Sequence, residues 1–307
     1  MKAAYFMQHG GPEVMLYGDV ADPVAGPDQV LIDVYAASVN GADWKVRAGS
    51  YAPISVFPYV PGRDFSGIVS ARGDGVKEFV TGDAVFGVCD VGLEQEYAEK
   101  VAINAAIVAR KPDSLSHEDC AALALTGLTA LVSVEDTLQL KSGETILIQG
   151  GAGGVASFAI QLAKHIGARV IATASAANHD YLRKLGVDQL IDYNSQDFTQ
   201  LVSNCDAVFD TVGGAVATRS FAVLRPGGRA AFIASGNAAP VSPRVDVRSL
   251  RPKVGRDRAH LDRIVALVST GAVRVPEITI YSLAAAAAAH KVSEGRHFRG
   301  KLVFKVR

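Results

Sequence analysis

The sequence has 307 residues, of which 49% are hydrophobic and 20% are charged, a composition typical of globular proteins rather than of disordered or fibrous ones. Lysine and arginine total 31 and balance 31 acidic residues, so we expect neither a nucleic-acid partner nor attraction to an anionic membrane. The cysteines, Cys89, Cys120 and Cys205, are far apart in the sequence. Their spacing disfavours a disulfide framework and a cysteine-rich zinc lobe.

Two segments bear on where the protein resides. The residues after Met1 to Phe6 form a polar, glycine-rich turn rather than the apolar centre of a secretory signal, so we expect a cytoplasmic protein. The stretch Thr145 to Ala163 carries no charge and has the composition of a membrane span. Glycines between Gly150 and Gly154 interrupt it, which favours a strand, a turn and a helix instead.

Short apolar segments separated by turn residues characterise the first hundred or so residues. Val30 to Tyr35 and Ala84 to Val88 are examples of the β-type segments, and their rhythm predicts a small barrel-like β domain. The pattern changes near Lys111 to Asp113. Beyond it, Leu115 to Val134 is rich in alanine and leucine, and Ser116 is a plausible N-cap, so we predict a helix there and the first domain boundary before it.

From Thr145 onward, predicted strands and helices alternate with a period of roughly 20 to 30 residues, as parallel βαβ units require. The predicted strands are Thr145 to Ile148, Arg169 to Thr173, Gln189 to Tyr193, Asp206 to Phe209 and Arg229 to Ala234. This order predicts a doubly wound parallel sheet. The remaining predicted elements are a helix at His260 to Ser269, a strand at Ile278 to Tyr281, an alanine-rich helix around Ala284 to Ala289, and a strand at Lys301 to Val306.

A glycine-rich motif follows the first of these strands. The run from Gly151 through Ala152, Gly153, Gly154 and Val155 to Ala156 fits G-x-G-x-x-G/A and opens an amphipathic helix. The glycines allow a tight turn and a close backbone approach to a pyrophosphate, and the small last residue permits close helix-sheet packing. We therefore predict a dinucleotide site at Gly151, Gly153, Gly154, Val155 and Ala156.

The end of the second strand bears on which dinucleotide binds. An NAD-specific site would carry Asp or Glu there, where a carboxylate holds the ribose 2′-hydroxyl. The segment Ile171 to His179 has no acid and offers the hydroxyl of Ser175 instead. A carboxylate would repel a 2′-phosphate, so its absence favours NADPH over NADH.

Motifs along the whole chain resemble one family. The matching segments are His9 to Val14, Ala37 to Asp43, Pro61 to Gly67, Gly75-Val76, Gly82-Asp83, Leu125 to Ala130, the glycine turn, Asp210 to Gly214, and Gly300-Lys301. Together they resemble the zinc-independent medium-chain dehydrogenase/reductases, in the NADPH:quinone oxidoreductase branch that includes zeta-crystallin. The resemblance implies a GroES-like β-barrel catalytic domain, residues 1–113 and 255–307, around a Rossmann domain, residues 114–254. It also implies a homodimer.

The same resemblance bears on metal content. Zinc-dependent relatives carry a cysteine in the region of Ser38 to Asp43 and a histidine in the region of Gly62 to Phe65, where this sequence has Ser, Asn, Asp and Arg. Without thiolate or imidazole ligands we expect no metal site and no zinc-assisted alcohol oxidation.

The resemblance also implies roles for individual residues. It places Asn40 at the nicotinamide end of the cofactor and Tyr51 near the acceptor, so either is a candidate hydrogen-bond donor to the substrate oxygen. Its further cofactor-binding residues are Thr126, Ser175, Tyr193, Ile233 and Ser235. Relatives often carry a lysine where this chain has Asn178, and His179 or Arg183 are alternative cations for the 2′-phosphate.

Several functions remain open from the sequence. The first is an NADPH-dependent reductase of quinones or α,β-unsaturated carbonyls. The second is an enal or enoyl reductase, which needs the same cofactor. The third is a non-catalytic NADP(H)-binding protein, because the family that the sequence resembles includes lens crystallins. A methyltransferase built on a Rossmann sheet is disfavoured, because such proteins need no barrel domain and use the ribose-binding acid that is missing here.

Overall fold

The computed structural model describes residues 1–51, 54–90 and 92–307, which divide into two units. The first unit consists of Met1–Leu125, Arg256–Ala266 and Glu277–Arg307, and the second of Thr126–Gly255 and Leu267–Pro276. The domain boundaries expected from the sequence, 1–113 with 255–307 and 114–254, stay a prediction.

The strands in chain order are β1 (Lys2–Tyr5), β2 (Leu16–Asp19), β3 (Gln29–Val39), β4 (Asp64–Arg72), β5 (Ala84–Val88), β6 (Lys100–Asn104), β7 (Val108–Arg110), β8 (Thr145–Gln149), β9 (Arg169–Ala174), β10 (Gln189–Asp192), β11 (Cys205–Asp210), β12 (Leu224–Phe232), β13 (Arg248–Leu250), β14 (Ile278–Ser282) and β15 (Lys301–Lys305). The α-helices are α1 (Gly41–Arg47), α2 (His117–Leu131), α3 (Gly154–Ile166), α4 (His179–Lys184), α5 (Phe198–Leu201), α6 (Gly214–Ser220), α7 (Arg258–Ser269) and α8 (Ala286–Gly295).

The first unit is built on a seven-stranded sheet with the order β14-β15-β3-β4-β5-β7, in which β6 also pairs with β3. All of its strand pairs are antiparallel except β14 with β15. Burial alternates along the first half of β3, where Val30, Ile32 and Val34 face the core, because successive strand residues point to opposite faces. Burying each such side chain contributes about 2 kcal/mol.

The second unit contains a six-stranded sheet in which every strand pair is parallel. Its strand order is β10-β9-β8-β11-β12-β13, the order of a doubly wound dinucleotide-binding sheet. The doubly wound sheet predicted from the sequence is confirmed. Strand β13 was not predicted, and β12 begins at Leu224, five residues before the expected start, because the Pro226 to Gly228 turn lies within it.

Helix α2 begins close to its predicted start. The Ser116 hydroxyl accepts the Asp119 N–H at 3.0 Å and the Asp119 carboxylate accepts the Ser116 N–H at 3.0 Å, a reciprocal cap that confirms the predicted N-cap. A π-helical segment, Val132–Thr137, continues the helix. The segment His117–Thr137 is long and apolar enough to cross a membrane, but 72% of its most apolar window is buried inside the protein, which identifies a core helix.

Candidate functional site

The turn between β8 and α3 holds the glycine motif. Gly153 is the N-cap of α3 with extended backbone, and no side chain caps this end of the helix. The first N–H groups of an α-helix have no intrahelical acceptor, so those of Gly154, Val155 and Ala156 are available to an anion. The structure therefore brings the predicted pyrophosphate-binding residues together at one helix N-terminus.

The shape of this turn fits a pyrophosphate. A Cβ added at Gly153 would meet only the Gly150 carbonyl oxygen, at 3.6 Å, so the chain has open space on this side. At Gly151 a Cβ would lie 3.2 Å from the Ala172 Cβ and 3.1 Å from a Leu182 methyl. The two glycines thus serve different purposes, since Gly151 permits close packing on the sheet while Gly153 leaves room for a ligand close to the backbone.

The turn lies where the strand order reverses. Strands β8 and β11 are neighbours in the sheet, and the connections after them lead to α3 and α6. Ligands of open α/β sheets bind outside the carboxyl ends of the strands at such a point. After β11, the buried Asp210 carboxylate accepts the N–H groups of Val212 at 2.9 Å and Gly213 at 3.0 Å, which shapes the second loop at this edge. Burial raises the pKa of Asp210, and these hydrogen bonds oppose the shift.

Four further predicted cofactor residues lie at the same edge of the sheet. Ser175 follows β9, Tyr193 follows β10, and Ile233 and Ser235 follow β12. Parallel strands present their carboxyl ends along one edge, so the fold gathers residues that are far apart in the sequence. Thr126, the fifth of these predicted cofactor-binding residues, is buried in α2 of the same unit. Its role in cofactor binding stays a prediction.

The end of β9 carries the groups expected near a 2′-phosphate. The Ser175 hydroxyl accepts a hydrogen bond from the Asn178 amide at 3.0 Å. Arg183 forms an ion pair with Asp180 on the surface of α4. A guanidinium already paired with a carboxylate is a weaker phosphate partner, so Ser175, Asn178 and His179 remain the groups that this strand end offers.

In the first unit, Asn40 begins α1 and its amide is held from both sides. Its Nδ2 donates to Asp64 Oδ1 at 2.9 Å and to the Ser38 carbonyl at 3.2 Å, and its Oδ1 accepts from Lys301 Nζ at 2.6 Å. Lys301 is 5% exposed, and Asp64 is inaccessible. Burial lowers the pKa of Lys301 and raises the pKa of Asp64, and the attraction between the two charges opposes both shifts. We call Lys301, Asn40, Asp64 and Ser38 the Lys301 cluster.

A second buried ionic group, the Arg63 cluster, consists of Arg63, Asp43, Glu94, Tyr97 and Tyr59. Arg63 Nη2 lies 2.8 Å from Glu94 Oε1, and its Nε lies 3.3 Å from Asp43 Oδ1. Tyr97 donates to Asp43 at 2.7 Å and Tyr59 donates to Glu94 at 2.9 Å. Burial raises the pKa of Asp43 to about 6, although the Arg63 charge and the Tyr97 hydroxyl act in the opposite direction.

Tyr51 lies at the edge of the Arg63 cluster. Its side chain is 39% exposed, and the Arg63 guanidinium lies 5.1 Å from the centre of its ring. The cation over the ring face favours this placement. The structure thus brings Tyr51 next to Arg63, which pairs with α1 through Asp43, while Asn40 lies at the start of that helix. Of the two candidate donors, Tyr51 is the one whose described contacts leave its hydroxyl free of a hydrogen bond.

Most of these supporting residues were not predicted from the sequence. Lys301 and Asp64 stood within recognised motifs but without a role, and the pairing of Arg63 with Glu94 carried no local signal. In the second unit, the buried side chains of Gln149 and Thr173 beneath the glycine turn were also missed. Their only signal is the position of each at the carboxyl end of a strand beside the motif. Within the described ranges, no group of three or more His, Cys, Asp or Glu side chains is arranged to hold a metal ion.

Comparison with known proteins identifies the family. A family model described as an alcohol dehydrogenase GroES-like domain matches residues 26–113, and one described as a zinc-binding dehydrogenase matches residues 185–304. The first match confirms the GroES-like fold expected for the first unit.

The chain is similar to curated proteins and to solved structures. The 2-methylene-furan-3-one reductase of Solanum lycopersicum is 38% identical over 77% of this chain, which spans only 66% of that protein's length. The quinone oxidoreductase of Pseudomonas aeruginosa is 31% identical over 98% of both chains. The crystal structure of Escherichia coli quinone oxidoreductase complexed with NADPH superposes with a TM-score of 0.89, at 27% identity, and all of both chains is covered. The chain therefore belongs to the medium-chain dehydrogenase/reductase family, among its quinone oxidoreductases.

Proposed function

We propose that the protein is an NADPH-dependent oxidoreductase that reduces quinones or α,β-unsaturated carbonyl compounds. The observation that carries the proposal is the helix N-terminus at Gly154 to Ala156, with an open glycine turn, placed where the strand order reverses. The relatives named for quinone reduction and for reduction of a methylene-furanone support the substrate class, because both acceptors are conjugated carbonyl compounds.

NADPH is proposed as the cofactor in preference to NADH. The end of β9 offers the Ser175 hydroxyl and the Asn178 amide and lacks the carboxylate that would repel a 2′-phosphate. The E. coli quinone oxidoreductase, solved with NADPH, supports the same choice.

The chain's own residues supply binding and proton donation. When bound, NADPH supplies a hydride for the electrophilic carbon of the acceptor. The amides of Gly154, Val155 and Ala156 hold the pyrophosphate, and Tyr51 donates a hydrogen bond to the acceptor oxygen, on which negative charge develops. A proton from the hydroxyl or from solvent completes the reduction.

The proposed reaction does not use zinc. The residues at the positions where zinc-dependent relatives have ligands support this view, because the Asp43 and Asp64 carboxylates are committed to Arg63, Tyr97, Ser38 and Asn40. A metal analysis of the purified protein, together with assays before and after dialysis against a chelator, tests the proposal. A stoichiometric zinc ion whose removal abolishes turnover would refute it.

The central test is a cofactor-oxidation screen of NADPH and NADH against quinones, enals and enones. We expect NADPH oxidation with at least one conjugated acceptor and a higher kcat/KM for NADPH than for NADH. Better use of NADH across the panel would contradict the role of Ser175. NADPH binding, detected by cofactor fluorescence, without oxidation by any acceptor would instead identify a non-catalytic binding protein.

We further propose a homodimer that forms through the edge strand of the parallel sheet. Strand β13 pairs with β12 and lies at the end of the strand order. Among the described residues no strand pairs with its other edge, so that edge is open to a strand of a second copy of the chain. The side chains of Val241 and Val245, in the segment before β13, are 92% and 106% exposed. These exposed apolar side chains support the proposal, because a dimer would bury them. Light scattering on the wild type and on a Val241→Lys, Val245→Asp variant tests this, with dissociation to monomers expected for the variant.

The cytoplasm is the proposed location. Three free, buried cysteines support a reducing compartment. Fractionation of cells that express the tagged chain would test the assignment, and recovery in a secreted or membrane fraction would contradict it.

A further inference from the structure

A hydrogen-bonded pair of buried side chains lies beneath the glycine turn. Gln149 ends β8 and Thr173 is the last residue but one of β9, and they are 1% and 3% exposed. We propose that Thr173 and Gln149 are positioning residues that hold the phosphate-binding turn in its binding conformation before the dinucleotide arrives. The inference rests on the proposed function, since it concerns the affinity of the same turn for NADPH.

Thr173 holds the first two amides of the turn. Its side-chain oxygen accepts the Gly150 N–H at 3.1 Å, and its carbonyl oxygen accepts the Gly151 N–H at 2.8 Å. Gly150 has φ of 76°, in the left-handed region. Because glycine adopts positive and negative φ about equally readily, a contact from outside the turn is what selects this conformation. A single residue of the neighbouring strand thus directs both N–H groups toward the sheet.

Gln149 orients the Thr173 hydroxyl. The hydroxyl donates to Gln149 Oε1 at 2.6 Å, and because its proton is used there, its lone pairs face the Gly150 N–H. Gln149 Nε2 donates to the Ser220 hydroxyl at 3.2 Å, and the backbone carbonyl of Gln149 accepts from the Thr211 hydroxyl at 2.8 Å. The chain of hydrogen bonds joins β8, β9, the loop after β11 and α6, and buried chains of this kind are mutually reinforcing.

This arrangement divides the amides of the turn into two sets. Those of Gly150 and Gly151 are bonded to Thr173, and that of Gly153 donates to the Gly150 carbonyl at 3.1 Å. The amides at the start of α3 remain for the ligand. A turn that is already ordered loses less conformational entropy on binding. The hydrogen-bonded pair of Thr173 and Gln149, which we call the brace, therefore increases the affinity for the dinucleotide without contacting it.

Thr173→Val tests the brace, because it keeps the side-chain shape and removes the hydroxyl. Dissociation constants are measured by fluorescence titration for NADPH, which has a pyrophosphate, and by calorimetry for 2′-AMP, which has none. We expect the Thr173→Val variant to bind NADPH about tenfold more weakly, about 1.4 kcal/mol, and 2′-AMP within twofold of wild type. Thr173→Ser, which restores the hydroxyl, should recover most of the NADPH affinity.

A matched control removes another buried hydroxyl from the same unit. Ser133 is inaccessible and donates to the Thr129 carbonyl at 2.6 Å, so Ser133→Ala should lower Tm without changing either dissociation constant. If Thr173→Val does not fold, Gln149→Met, which leaves the Thr173 hydroxyl unoriented, is measured in the same way.

Two results would overturn the inference. One is NADPH affinity in the Thr173→Val or Gln149→Met variant equal to that of wild type. The other is an equal loss for NADPH and 2′-AMP, which would indicate general disruption of the unit. Wild-type protein that binds NADPH but does not oxidise it with any acceptor would refute the proposed function alone, because the comparison of NADPH affinities still decides the inference. Wild type that does not bind NADPH would refute both.

Discussion

The Lys301 ammonium lies 2.6 Å from the side-chain oxygen of Asn40, although the two residues are 261 positions apart in the chain. The same amide donates its hydrogens to Asp64 and to the Ser38 carbonyl. Asn40 therefore lies between a buried cation and a buried anion with each of its polar groups engaged. Its contacts join the strand β3, the start of β4 and the final strand β15, which makes it a structural centre of the first unit.

The two candidate donors should respond differently to substitution. Tyr51→Phe keeps the ring that contacts Arg63 and removes the hydroxyl, so we expect kcat for an enone to fall about a hundredfold with unchanged NADPH affinity. Asn40→Ala leaves Lys301 and Asp64 without their bridge, and we expect the free energy of unfolding to fall by about 1–3 kcal/mol. Steady-state kinetics and urea denaturation measure the two effects. An unchanged turnover number for Tyr51→Phe would remove Tyr51 as the donor.

Asp43 should make stability depend on pH. Burial raises the pKa of Asp43 from the ordinary range of an aspartate to about 6, so the folded state holds this proton more tightly than the unfolded state. The resulting stabilisation is present below pH 4 and is lost as the pH rises to 6, a change of about 3 kcal/mol. Urea denaturation between these pH values should show this component in the wild type and not in Asp43→Asn.

Tyr97→Phe provides a second check on the same carboxyl. The Tyr97 hydroxyl donates to Asp43 and lowers its pKa, so its removal should raise the pKa further and extend the loss of stability above pH 6. Equal pH dependence in the wild type, Asp43→Asn and Tyr97→Phe would show that Asp43 is ionised throughout the range.

Gly153→Ala should separate cofactor binding from folding. The backbone at Gly153 has φ of −73°, and the new methyl group would meet only one atom at 3.6 Å, so we expect unchanged Tm. The methyl group occupies the space proposed for the pyrophosphate, so NADPH should bind at least about tenfold more weakly. Gly295→Ala, which adds a methyl group with no atom within 4 Å, should change neither quantity. NADPH affinity equal to wild type in Gly153→Ala would place the pyrophosphate elsewhere.

The cysteines should resist electrophiles in the folded protein. Burial raises the pKa of Cys120 and Cys205 to about 12 and raises that of Cys89 well above its usual range, so little reactive thiolate is present at neutral pH. A protein that reduces conjugated carbonyl compounds would thereby avoid alkylation by them. Titration with a thiol reagent should detect no rapid reaction without denaturant and three thiols in urea. Rapid labelling of the native protein would contradict the burial.

Much of the second unit was predictable because its signals are local. The run Thr145 to Ile148, the glycine motif after it and Gly167, whose φ is 93° at the end of α3, mark strand, turn and helix within two dozen residues. Strand β13 was not predicted, because a short edge strand that contains Arg248 and Ser249 has no apolar pattern. The prediction of NADPH over NADH depends on the absence of an acidic residue at the end of β9, a position that is known once the strand has been located.

The parallel sheet, the helix N-terminus for an anion and the family of the chain could be predicted from the sequence, since each depends on residue types at short, regular spacing. The side chains that support the site became known from the folded chain alone. Lys301 with Asn40, Arg63 with Glu94, and Thr173 with Gln149 are paired in space although the partners of each pair are far apart in the sequence. A buried polar group must find a partner wherever the fold places one, and no local pattern records that choice.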